Sequence, residues 1–107
     1  MPHYLICFSY PPETWAGLIA NPEDRREEIK KTLEPLGGTL HGYWYAFGDH
    51  DGYVALELPD NVSAAAFLAT IAASGAAKVS TVPLMTVEET LEALKKAKGV
   101  EYRAPGK

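Results

Sequence analysis

The sequence predicts an α+β domain in which helices back one face of a four-stranded antiparallel sheet. Three observations lead there. Apolar stretches of strand length alternate with amphipathic stretches of helix length, a short polar turn joins the middle two strands, and proline or glycine punctuates most of the junctions. A chain of 107 residues holds one such domain and no second core.

The first strand is HYLICFSY, residues 3–10, rich in β-branched and aromatic side chains and apolar on both alternations, as a central strand would be. Pro11 and Pro12 end it, and ETWAGLIA follows as a short helical turn. In NPEDRREEIKKTLEPLGG the reading is a helix capped by Asn21, with Pro22 at its first position and Glu23 and Asp24 at the positive end of the dipole. Ile29 and Leu33 share its apolar face, Glu27 and Lys31 pair on another, and Gly37 and Gly38 stop it. The segments TLHGYWYAF and GYVALEL, separated by GDHD, form a hairpin.

Asp60 caps the alanine-rich helix NVSAAAFLATIAASG, whose small side chains allow close approach to a sheet. The fourth strand, AAKVSTVPLM, carries Pro83, which cannot donate to a ladder and so places the strand at an edge. Thr86 and Glu89 stand at capping-box spacing at the start of a last helix that closes with lysines. Residues 1–98 make up the domain and 99–107 a loose or docking tail. The order strand, helix, strand, strand, helix, strand is the ferredoxin-like βαββαβ sandwich, here with an extra C-terminal helix.

Such a sheet has one uncovered face, which should be polar if it meets water. It is not. On the second strand Leu40, Trp44 and Ala46 alternate with His41, Tyr43, Tyr45 and Phe47, and on the third Val54, Leu56 and Leu58 alternate with Tyr53, Ala55 and Glu57. The expected consequence is a homodimer joined through the open face, since large apolar patches are rare on monomers. The sequence leaves open which face holds Trp44 and Trp15 and which holds Tyr43 and Tyr45; one arrangement puts the tryptophans toward the helices and the tyrosines against the partner sheet.

Composition narrows the partners. Apolar residues are 47% and charged residues 22% of the chain, and the net charge of −4 comes with no basic cluster, which argues against nucleic acid. The longest apolar run is too short and interrupted to span a bilayer, no signal peptide is recognisable, and the single Cys7 forms no intrachain disulfide, so a cytoplasmic protein is expected. Cys7 reads as a small buried hydrophobe in mid-strand.

The LGG that ends the first helical region, the G-x-x-D turn before the third strand, and LPD followed by an alanine-rich helix resemble the GYD domain family over most of the chain. The family's Gly-x-Tyr-Asp turn falls on Gly48, Asp49, His50 and Asp51, so His50 stands at the tyrosine position. The resemblance implies a dimeric α/β barrel, two ferredoxin-like sheets face to face, and implies no settled activity.

Two sets of residues carry candidate chemistry. Asp49, His50 and Asp51 could form a proton-transfer group, with carboxylates flanking an imidazole. The same residues suit a turn, in which Asp51 ties the chain by accepting backbone N–H bonds. Tyr43, Trp44, Tyr45, Trp15 and Tyr53 offer an aromatic lining with hydroxyls that would orient a small aromatic or carbonyl ligand. No metal or cofactor is expected: CxxC and HxxxH spacings are absent, and His41 and His50 lie at opposite ends of a hairpin arm, with His3 near the His41 end. Two functions fit. One is a dimeric small-molecule-binding protein with an aromatic cleft. The other is a cofactor-free isomerase, lyase or monooxygenase in which His50, with Asp49 or Asp51 and a tyrosine, moves the proton.

Overall fold

The computed structural model describes all 107 residues. In chain order it contains β1 (His3–Ser9), α1 (Pro12–Ala20), α2 (Arg26–Leu33), a 3-10 turn (Glu34–Leu36), β2 (Thr39–Tyr45), β3 (Gly52–Glu57), α3 (Asn61–Ser74), β4 (Lys78–Leu84) and α4 (Val87–Ala97). The strands form one antiparallel sheet in the order β2-β3-β1-β4. This is the expected ferredoxin-like arrangement, with Pro83 on an edge strand.

Strand alternation builds the core. Tyr4, Ile6 and Phe8 of β1 and Val54 and Leu56 of β3 point to the helix-covered face, where Leu33, Leu58, Ala64 and Phe67 close over them. Burying such side chains is worth about 1.5–3 kcal/mol each and holds the two layers together. Cys7, on the other alternation of β1, is also buried.

The helix ends follow local chemistry. The Asp60 carboxylate accepts the Ser63 N–H at 2.8 Å, and at α4 Thr86 and Glu89 exchange both bonds of a capping box. Gly37, at φ 71°, carries the chain out of the 3-10 turn into β2.

Three details differ from expectation. ETWAGLIA belongs to a regular nine-residue helix, α1, that starts at Pro12. The next helix begins at Arg26, well after Asn21, because Asp24 takes the capping role: its carboxylate accepts the Arg26 backbone N–H at 3.0 Å and also grips the Arg26 guanidinium. On α2, Glu27 pairs with Lys30 at 3.2 Å, where Lys31 was the expected partner.

The largest difference is in β2. Its register with β3 shifts between Leu40 and Gly42, a β-bulge that absorbs one residue. Every side chain beyond a one-residue slip changes face. Tyr43 and Tyr45 therefore turn toward the helices and pack on Phe8, whereas Trp44 lies on the open face opposite Tyr53, its indole where a side chain on Gly42 would be. The faces that the sequence left open are thus decided, with Tyr43 and Tyr45 on the helix side and Trp44 on the open side. Trp15 does sit with the helix-side aromatics, against Tyr10 and Tyr45.

The open face keeps apolar groups at the surface. Trp44 is 57% exposed, Val82 44% and Leu84 41%. Helix α4 stands off the body with every residue exposed, including Leu91 and Leu94 of its apolar stripe. The radius of gyration is accordingly 17.5 Å, against about 13 Å for a compact chain of this length.

Candidate functional site

Between the sheet and its helices lies a cavity of about 470 Å³, within the range of about 300–1,000 Å³ usual for small-molecule sites. Its floor is Ile6, Phe8, Val54 and Tyr43 from the sheet, and its walls include Leu18 of α1, Ile29 of α2, and Phe67 and Ile71 of α3. Gly17 of α1 also lines it, and a Cβ there would meet open space. Thr14, Glu28, Thr32, Thr70 and Ser74 add polar groups to the lining.

The hydroxyls of Tyr10 and Tyr43 stand 2.9 Å apart, one donating to the other. Tyr45 bonds to both, so the three hydroxyls form one cluster beside the cavity. Burial pushes the Tyr10 phenol up to about 12, its bond to Tyr43 partly offsetting the rise. Burial raises Tyr43 further, aided by bonds to Tyr10 and Tyr45. Both phenols are neutral at physiological pH, so they act as hydrogen-bond donors and acceptors. Arg25 and Glu23, paired at 3.3 Å, lie at the margin.

The aromatic residues expected from the sequence divide between two faces. Tyr43 lines the cavity, and Tyr45 and Trp15 pack behind Tyr10 as its supporting cluster. Trp44 and Tyr53 lie across the sheet on the open face. Sequence reading missed Tyr10, which sits just past the end of β1; its position after an apolar strand was the available signal.

The turn residues lie outside the cavity lining. The Asp51 carboxylate accepts the Tyr10 backbone N–H at 2.8 Å, while the Asp51 N–H donates to the Phe8 carbonyl at 2.8 Å and its carbonyl accepts from Ala46. Asp51 therefore pins the hairpin turn to the end of β1 and sets the backbone from which Tyr10 projects. His50 packs edge-on against Tyr53, with ring centroids 5.7 Å apart. Asp49 makes no side-chain hydrogen bond that the structure records.

A second group forms at the opposite end of the open face. Glu57 lies directly across from His3 on β1, and the bulge sets His41 of β2 beside it. Both Nε2 atoms face Glu57 Oε1, at 2.8 Å for His3 and 2.9 Å for His41. The His41 hydrogen bond, followed by the charge of His3, holds the Glu57 carboxyl below its ordinary value.

Fold and cavity together define a ferredoxin-like α+β protein with a pocket of mixed apolar and polar lining beneath its helices. The chain belongs to the GYD domain family, whose model matches residues 4–94. Asp51, the last residue of the GDHD turn, locks that turn to β1. No curated protein matches the sequence. No helix is long and apolar enough to cross a membrane.

Proposed function

We propose that the protein binds a small, mostly apolar ligand bearing an aromatic ring or a carbonyl, held in the cavity between sheet and helices. The observation that carries this reading is the Tyr10–Tyr43 hydroxyl pair beside a pocket whose sheet side is built from Ile6, Phe8, Val54 and Val79. The apolar part of the lining supplies affinity, and a tyrosine hydroxyl fixes the orientation of a ligand oxygen. Binding is favoured over catalysis because the phenols at the cavity have raised pKa values and His50 is not part of its lining. A general base working near neutral pH needs the opposite tuning.

Acetophenone, an aromatic ketone small enough for the space, tests the reading by NMR titration. Shifts should concentrate on Phe67, Ile71 and Tyr43. Tyr43→Phe should weaken binding about fivefold, the worth of one hydrogen bond near 1 kcal/mol, and Ile71→Trp, which fills the space, should abolish it. Shifts confined to Trp44 and Tyr53 would move the ligand to the open face and overturn the assignment.

The protein functions as a homodimer in this reading, with the open faces of two copies in contact. The half-exposed Trp44, Val82 and Leu84 and the unpacked apolar stripe of α4 support it, because apolar surface of that kind gains from being covered. Sedimentation should give a dimer that Trp44→Glu drives toward monomer. A wild-type monomer at micromolar concentration would refute it.

A further inference from the structure

We propose that His3, His41 and Glu57 form a binding site for a divalent first-row transition-metal ion, with Zn²⁺ the best-matched probe. The donor set is two imidazole nitrogens and one carboxylate oxygen, and these three atoms lie within 4.8 Å of one another. Two histidines and a glutamate are an established combination for zinc with an open fourth position, and imidazole with carboxylate also suits iron.

The geometry supports it on three counts. With bonds of about 2.0–2.1 Å in a tetrahedral array, ligand atoms stand roughly 3.3 Å apart. The present separations of 2.8 and 2.9 Å from the carboxylate oxygen to each nitrogen need only a small opening to admit the ion. The two rings already lie nearly parallel, at 26° with centroids 5.8 Å apart, and present the same nitrogen to one point. The third count is the backbone. Three adjacent strands supply one ligand each, His3 standing in register with Glu57, and the bulge brings His41 to the same side. Bulges recur where a side chain must be re-aimed toward a site.

Binding requires both Nε2 atoms free of protons, so the neutral imidazoles would carry their proton on Nδ1, and the carboxylate would become a ligand. The side chains of His3 and His41 are 39% and 46% exposed. An ion can therefore enter from the open face of the free chain, and in the dimer proposed above its remaining coordination position faces the partner sheet. The site lies across the sheet from the ligand cavity, so the two proposals stand or fall separately.

The test uses the full chain without a polyhistidine tag, titrated first with Co²⁺ and then with Zn²⁺ as competitor. One Co²⁺ per chain should bind with the intense visible absorption of four-coordinate cobalt, and Zn²⁺ should bleach it. Losing an outer-shell partner of a metal ligand costs 10–100-fold in affinity, so losing a ligand should cost at least about 100-fold. His41→Ala and the near-isosteric Glu57→Gln should each show that loss while keeping the wild-type circular dichroism spectrum. Failure of the wild type to bind Co²⁺ or Zn²⁺ at millimolar concentration overturns the site, as does unchanged affinity in His41→Ala.

Discussion

Replacing Asp51 with alanine removes one carboxylate from a turn that holds two, and only one of the two should matter. Asp51 accepts the Tyr10 backbone N–H at 2.8 Å across the gap between the hairpin and β1. A hydrogen bond to a charged group contributes about 1.5–3 kcal/mol, and losing the acceptor strands the donor. The Tyr10 N–H is only partly buried, so water recovers part of the loss. The backbone bonds from Asp51 to Phe8 and from Ala46 to Asp51 also survive the substitution. A cost of about 2 kcal/mol follows, which for a domain of this length lowers Tm by roughly 8 °C. Asp51→Asn keeps an acceptor oxygen without the charge and should lose about half as much. Asp49→Ala, two residues away with no recorded side-chain bond, should stay within about 0.5 kcal/mol of wild type. Urea denaturation at one fixed protein concentration measures all three variants, the concentration being held because self-association would add to apparent stability. Equal destabilisation by Asp49→Ala and Asp51→Ala would refute the assignment of Asp51 as the tie between turn and strand.

The phenols make stability fall at alkaline pH. Tyr10 is raised from 10.0 to about 12 and Tyr43 is raised as well, so the folded state retains protons that the unfolded state releases. Their contribution is fully present below pH 10 and is lost as pH climbs through the folded value near 12. Absorbance of tyrosinate should show late-titrating phenols, one of which Tyr10→Phe removes while Tyr43 remains; an undiminished late component in that variant would contradict the assignment of Tyr10. Gly52→Ala should also destabilise, by about 1–3 kcal/mol. A methyl group there would run into the Phe8 ring and stand 2.5 Å from the Trp44 carbonyl oxygen. An alanine variant that melts with the wild type would show that the β2–β3 contact is looser than described.

Local signals carried most of the architecture. Pro83 at an edge, the Asp60 cap, the Thr86 and Glu89 box and the glycine stop at Gly37 each depend on neighbours within a few residues, and each is where the sequence indicated. The start of α2 is not, because Asp24 competed for the same orphan N–H groups and won by also holding Arg26. Alternation was readable in β3, which is regular, and could not assign faces in β2, where a bulge no local pattern announces sets those of Trp44 and the two tyrosines.

What the sequence alone determined was therefore the set of elements and their order, because helix caps, turns and apolar periods are properties of short stretches of chain. Which hydroxyls meet at the cavity, that Asp51 and not Asp49 ties the turn, and that Glu57 stands between His3 and His41 were decided by the tertiary structure. Those partners are separated by 16 positions for His41 and Glu57, 33 for Tyr10 and Tyr43, and 41 for Tyr10 and Asp51. Register between strands sets such meetings, and register is a property of the assembled sheet.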